Sequence, residues 1–345
     1  MKGILNFTQE QLVSQFNNLK FAKFRVQQVI DWIYSKGVTS FTQMTNFNGQ
    51  TQGTLSNSYC IYRPQISAIK KSIDGTIKFL LKLDDSLTIE SVFIPEDHRN
   101  TICLSTQVGC AVGCKFCNTG YNGFKRNLKP EEIIGQVFVI KDYVDSWKDR
   151  TKRISNVVFM GMGEPLYNWN NVNIAMQNLK LGGEIQGLSP KRITLSTSGI
   201  VSVLEKIIPT LECNLAISLH APNSATRSSI MPINNLYNLE NLLTICKAYN
   251  RLHPNKLITF EYILLNGIND NTGMAKQLIK ILHGVKCKVN LIQFNSWKGD
   301  KFVGSDEQKI QNFRKILVSS GINATIRHSR GRDIMAACGQ LQSSN

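Results

Sequence analysis

Acidic residues are scarce in this 345-residue sequence: 24 Asp and Glu stand against 40 Lys and Arg, a formal charge of +16. Also missing is any apolar run of the ~18 residues that a membrane-spanning helix needs, which excludes an integral membrane helix. The opening stretch MKGILNFTQEQLVSQF has no apolar h-region, so no signal peptide is expected. Neither an internal repeat nor a low-complexity segment is present, which excludes solenoid and fibrous architectures. These absences leave a cytoplasmic protein with no membrane partner. With 42% hydrophobic residues, the chain can bury a sizeable core, and its length suits one large domain plus a smaller one.

The acid deficit itself has two readings. Phosphate neutralisation with counterion release draws such a surface to nucleic acid, yet some chains are simply rich in Lys. The basic residues concentrate at 20–25, 70–71, 148–153, 191–192 and 327–332. A reducing compartment also argues against a disulfide framework of the nine cysteines, which leaves metal ligands, reactive thiols and small buried hydrophobes. Cys60, Cys213, Cys246 and Cys287 are scattered and read as buried structural residues.

Pattern divides the chain near residue 95. Before it, Thr8-x-x-Gln11 has the form of a capping box, with Leu12, Phe16 and Leu19 at helical spacing. A second helix is expected over 24–36, presenting Val26, Val29, Ile30 and Ile33 and stopping at Gly37. Phe21, Phe24 and Trp32 read as core aromatics among outward lysines. Residues 65–95 turn to strand character around Asp74-Gly75 and a second turn at 84–86, giving three short strands. From about residue 100 strands and helices alternate. Strands are expected at 101–105, 156–160, 192–196, 214–219, 258–265, 288–294 and 323–327, with helices such as 130–144, 275–282 and 306–319 between them. This alternation gives an α/β fold on a parallel sheet, open or curled into a full or partial barrel. Chemistry in such folds gathers at the C-terminal strand ends. The domain reading is therefore 1–95 as an accessory, RNA-binding part, 96–330 as the core, and 331–345 as a C-terminal segment.

Cys110-Ala-Val-Gly-Cys114-Lys-Phe-Cys117 is the densest chemistry in the sequence. Three thiolates on one loop can hold three corners of an iron–sulfur cube and leave the fourth iron open. Zinc wants four ligands, and no Cys or His follows nearby to complete a tetrahedron. A C-x3-C-x2-C triplet with an aromatic, here Phe116, before its last cysteine resembles the radical S-adenosylmethionine superfamily. Gly161-Met162-Gly163-Glu164-Pro165 after an apolar strand is similar to the Gly–Glu signature of those enzymes. Cys103-Leu-Ser-Thr-Gln-Val-Gly-Cys110, Ser218-Leu219-His220-Ala221, Met231-Pro232-Ile233-Asn234 and Ala336-Ala337-Cys338-Gly339-Gln340-Leu341 resemble, in that order, the RlmN/Cfr methyltransferases. Pro165 and Val108 look more like the RlmN branch.

What this resemblance implies is specific. The fold would be the radical SAM partial (β/α) barrel with a helical accessory domain and a small β-meander. Cys110, Cys114 and Cys117 would hold one [4Fe–4S] cluster. Gly163, Glu164, Ser196, Ser218, Leu219, His220 and Asn295 would contact S-adenosylmethionine, two of which are used per turnover. Cys338 would carry a methyl group as S-methylcysteine, Glu90 would accept the C2 proton of the target adenosine, and Cys103 would resolve the crosslink through a transient disulfide with Cys338. The implied substrates are 23S rRNA in the peptidyl-transferase region and tRNA at the adenosine 3′ of the anticodon. An external electron donor and a thiol reductant are implied as partners. Methylation at adenine C8, as in the Cfr branch, is the alternative.

Overall fold

The structure, a computed structural model, describes residues 1–342; the last three positions of the expected C-terminal segment lie outside the described residues. Ten strands form one mixed sheet: β1 (Gln65–Lys71), β2 (Ile77–Lys82), β3 (Thr88–Glu96), β4 (Arg99–Cys103), β5 (Asn156–Phe159), β6 (Ile193–Thr197), β7 (Asn214–Ser218), β8 (Ile258–Leu264), β9 (Cys287–Gln293) and β10 (Asn323–Arg327). Their order across the sheet is their order along the chain. Strands β1 to β4 are antiparallel neighbours, whereas β4 to β10 are all parallel. Parallel neighbours need a crossover each, and helices such as Pro130–Tyr143, Thr272–Leu282 and Glu307–Ser319 supply them.

The seven parallel strands lie within two residues of their expected bounds, because strand and helix segments alternate along this part of the chain. The meander differs from its expected place. It is hydrogen-bonded to the core, with Val92 opposite Cys103 and Glu96 opposite Arg99, so the division at 95/96 falls between two paired strands. The change of pattern near residue 100 marks a switch from antiparallel to parallel pairing within one sheet. Pairing partners are set by non-local contacts, to which alternation along one strand is blind.

The first sixty residues are helical and tied at their ends, where Lys2–Gly3 pairs with Tyr59–Cys60. The capping box forms as expected: Gln11 N donates to Thr8 Oγ1 at 3.3 Å, and Thr8 N donates to Gln11 Oε1 at 2.9 Å. This layer packs on helix Pro130–Tyr143, whose Glu131 N donates to Asn6 Oδ1, and on Asn178, whose Nδ2 donates to Leu5 O and Phe7 O. Val26, Val29, Ile30 and Ile33 are core, as their spacing requires. Phe24 is not: it is 59% exposed, with the Arg25 guanidinium over its ring. No helix among the described residues is long and apolar enough to cross a membrane.

Candidate active site on the concave face of the sheet

Alternate residues of β4 to β10 face a lumen of about 790 Å³, among them Cys103, Thr259, Glu261, Asn290, Thr325 and Arg327. Beyond the C-terminal strand ends lies a smaller chamber of about 160 Å³, lined by Cys110, Cys114, Cys117, Gly163, Glu164, Ser196, Ser218 and His220. Cys338 borders both spaces, as do Met160, Glu261, Ile292 and Arg327. A still larger groove of about 1100 Å³ lies between Thr8, Trp169 and Lys206, but of the nine cysteines only Cys213 reaches it.

The cysteine loop is a knuckle closed by its own short ladder. Gln107–Gly109 pairs with Phe124–Asn127, and Cys110 N donates to Gly123 O at 2.9 Å. Gly109 has φ +75°, and a Cβ there would lie 1.8 Å from Gly123 O, so only glycine fits. Lys115 N donates to Ile230 O, which docks the loop on the segment before Met231. The Phe116 ring meets His220 edge-on at 4.9 Å, while its carbonyl accepts from Trp297 Nε1 at 3.2 Å.

The donor set suits an iron–sulfur cluster. Its three thiols sit on one loop, line one chamber and carry no disulfide. A cube takes one thiolate per iron. Burial pushes all three thiols up, Cys110 to about 12; bound iron offsets that cost by stabilising the thiolates. Asn295 adds a buried Oδ1 with no hydrogen-bond partner, an acceptor left open for a ligand.

Glu164 sits deepest, 3% exposed, and burial raises its carboxyl above the usual range against the hydrogen bonds it accepts. Those bonds number four: Thr197 Oγ1 and Leu166 N to Oε1, Ser198 N and Ser198 Oγ to Oε2. All the lone-pair sites of a carboxylate are thereby filled. It clamps the end of β6 to the Gly161–Glu164 loop. Those glycines also serve the fold, since a Cβ at Gly161 would meet Leu104 O at 2.6 Å and one at Gly163 would meet Gln107 at 2.5 Å.

His220, in the left-handed region at φ +58°, accepts from Ile263 N on Nδ1 at 3.0 Å. Its ring is neutral, because burial holds it down to about 3, and the proton therefore sits on Nε2. Leu219 is buried outside the chamber lining, and its carbonyl accepts from Arg227 Nε. Arg227 itself is a residue that sequence reasoning missed. Fully buried, it donates to Leu219 O, Ser218 O, Ser198 O and Asn234 Oδ1, so one side chain joins two of the motifs read separately to the turn after β6. Burial lowers its guanidinium to about 10.

A strap covers the lumen from the C-terminal side. Asn118 N donates to Gly339 O at 2.8 Å, Thr119 Oγ1 to Leu341 O at 2.6 Å and Asn295 Nδ2 to Cys338 O at 3.3 Å. Asp333 receives Ser72 Oγ and Asp74 receives Gly331 N, which ties the strap to the meander. Cys103 is buried in the lumen, where desolvation first and the nearby Cys338 second push its thiol up to about 12. Glu90 stands behind the strap and lines neither space. Its Oε1 pairs with Lys78 Nζ at 2.8 Å, both side chains under one-tenth exposed, and its Oε2 accepts from Gln342 N at 3.0 Å. Lys78 also donates to Met335 O.

Residues 2–61 match the ribosomal RNA large subunit methyltransferase N-terminal domain family, and residues 104–278 match the radical SAM superfamily. The fold agrees: a radical SAM methyltransferase from Sphaerobacter thermophilus superposes with a TM-score of 0.92 at 34% identity, covering 99% of each chain. The molecule is thus a radical SAM protein. Among its relatives are the dual-specificity RNA methyltransferase RlmN of Paracoccus denitrificans, 42% identical over 99% of this chain and 90% of that one, and that of Syntrophus aciditrophicus, 43% identical over 98% and 96%. The chain belongs to the RlmN family of radical SAM RNA methyltransferases.

Proposed function

We propose that this enzyme methylates C2 of adenosine, in the peptidyl-transferase region of 23S rRNA and 3′ of the anticodon in tRNA, by way of S-methylcysteine at Cys338. The observation that carries this reading is the double exposure of Cys338: one thiol borders both the chamber of the cluster cysteines and the polar lumen, where it shares walls with Cys103. A methyl carrier has to face its donor and its acceptor, and adenine C2 is too weak a nucleophile to take a methyl directly from a sulfonium.

Cys110, Cys114 and Cys117 hold the cluster, which when bound supplies the electron that splits S-adenosylmethionine. Gly163, Glu164, Ser196, Ser218 and His220 line the chamber that would take that molecule, with Leu219 and Asn295 outside this lining as its further proposed contacts, two molecules being used per turnover. The Cys338 thiol takes the first methyl and loses its proton. Once a hydrogen atom has been removed from that methyl, the carbon radical left on the Cys338 sulfur adds to C2, and the adduct gives up its unpaired electron to a one-electron acceptor. Glu90 then accepts the C2 proton. For this its carboxylate leaves Gln342 N, so the strap shifts when RNA occupies the lumen. Cys103 attacks the Cys338 sulfur as its thiolate, the sulfur–carbon bond breaks with its electron pair on the departing carbon, which takes up a proton to become the methyl group, and a Cys103–Cys338 disulfide remains. A cytoplasmic dithiol reductant resets it, and a separate one-electron donor serves the cluster.

Wild type and Cys338→Ala, reconstituted anaerobically and supplied with methyl-labelled S-adenosylmethionine and an rRNA fragment, test the proposal. Mass spectrometry should find 2-methyladenosine and a methylated Cys338 with wild type, and neither with the variant. Methylation by the variant at the wild-type rate sinks the carrier role. An 8-methyladenosine product establishes the C8 alternative instead.

A further inference from the structure

The motifs account for radical generation and methyl transfer but name no group that picks out adenine. Three neighbouring strands of the lumen wall carry a hydrogen-bonded ladder. Thr325 Oγ1 donates to Asn290 Oδ1 at 2.9 Å, and Asn290 Nδ2 donates to Glu261 Oε1 at 3.0 Å; the three are register partners on β10, β9 and β8. This ladder fixes the Glu261 carboxylate by one oxygen. The other, Oε2, has no hydrogen-bond partner although the residue is only 4% exposed. A buried acceptor with empty lone pairs is costly unless a ligand donor fills it. Two register positions nearer the chamber, the next row on the same face, stands Arg327, aligned with Ile292 and Ile263. Its Nη1 lies 3.8 Å from Glu261 Oε2, and its side chain keeps 32% of its surface exposed. Glu261, Arg327 and Cys338 all border both spaces.

We propose that Glu261 and Arg327 read the target base: Glu261 Oε2 accepts from the 6-amino group of adenine, and Arg327 donates to ring N1, which sets C2 beside Cys338. The inference rests on the proposed C2 chemistry and supplies its substrate recognition. On adenine the 6-amino group, N1 and C2 follow one another along one edge, so an acceptor, a donor and the methyl carrier are met in turn. Guanine offers O6 and N1–H at the first two places and so sets acceptor against acceptor and donor against donor. Cytosine matches those two but carries a carbonyl where the carbon must be attacked. A donor at N1 also draws electron density from C2 and stabilises the charge that develops on N1 as carbon adds. A lumen of about 790 Å³ falls within the range of small-ligand sites, about 300–1,000 Å³, and a base taken out of its stack is read in this manner by its hydrogen-bonding edge.

The test uses the reconstituted holoenzyme and RNA hairpins bearing adenosine, purine riboside (no 6-amino group) or 1-deazaadenosine (no N1) at the target. Glu261→Gln is the informative variant: Asn290 Nδ2 holds the glutamine oxygen, which turns an amide donor toward the base. Wild type should lose about ten- to hundredfold in kcat/KM on purine riboside relative to adenosine. Glu261→Gln should lose as much on adenosine and little more on purine riboside, and Arg327→Gln should show the same non-additivity with 1-deazaadenosine. Losses that simply multiply overturn the proposal, and they are also what a role for Glu261 in holding S-adenosylmethionine predicts. Failure of wild type to methylate adenosine in any hairpin refutes the proposed function, not the pair. Equilibrium binding of the same hairpins then decides the pair: non-additive losses sustain it and multiplicative losses sink it.

Discussion

At the scale of single residues, the chamber is built from polar groups whose charge is decided by burial. His220 is the clearest case. A free imidazole titrates near 6.5, and burial holds this one down to about 3, with Arg227 adding to the effect. Between those values the unfolded chain binds a proton that the folded chain refuses. The stability due to the neutral ring is therefore whole above 6.5 and is lost as pH falls toward 3. His220→Asn keeps an acceptor for Ile263 N and suits φ +58°, so the variant should fold. Denaturant unfolding of both proteins should show the stability difference changing by up to about 1.4 kcal/mol per pH unit below about pH 6. A difference independent of pH would mean that His220 does not titrate as its burial requires. Glu164 and Glu261 have raised carboxyls and slope the other way, but both proteins contain them, and the comparison cancels them.

At the scale of elements, the cysteine loop depends on one backbone approach. Gly109→Ala would drive a Cβ into Gly123 O, whereas Gly123, also at positive φ (+72°), has open space around its missing Cβ. Gly123→Ala should thus cost only the left-handed strain, on the order of 1–2 kcal/mol, and retain its iron. Gly109→Ala should cost more and take up severalfold less iron on reconstitution, read by iron analysis and thermal unfolding. Equal behaviour of the two would show that the ladder does not hold the loop. Much of this was legible beforehand. The spacing of Cys110, Cys114 and Cys117 put them on one loop, and they line one chamber; β4 to β10 were legible from the alternation of strand and helix segments. What stayed hidden is what lies far apart in sequence and near in space. Nothing around Arg227 hints that it joins Ser198, Ser218 and Asn234, and nothing around Glu261 distinguishes it from any strand glutamate until Asn290 and Thr325 are aligned beside it. Glu90 was legible only through its family pattern; its pairing with Lys78 and Gln342 belongs to the strap.

At the scale of the whole molecule, the charge surplus and the shape of the sheet act together. The edge strand β1 carries Lys70 and Lys71, both exposed, and charged edges resist edge-to-edge pairing between copies; part of the +16 is therefore explained without RNA. A further share has a location: Lys288 and Arg330 rim the lumen beside Arg327, where a flipped base would bring its flanking phosphates. If those residues meet phosphates, binding must release counterions and weaken steeply with salt. Affinity for a target hairpin should fall at least tenfold between about 50 and 200 mM monovalent salt. Replacing Lys288 and Arg330 together by Gln should flatten the log–log slope by roughly one to two, with the loss shared by all RNA sequences because phosphates carry no base identity. The variant of Glu261 should do the reverse, keeping the wild-type salt slope while changing which base is preferred. A hairpin affinity insensitive to salt would separate the basic rim from RNA altogether and leave the surplus as a property of the surface alone.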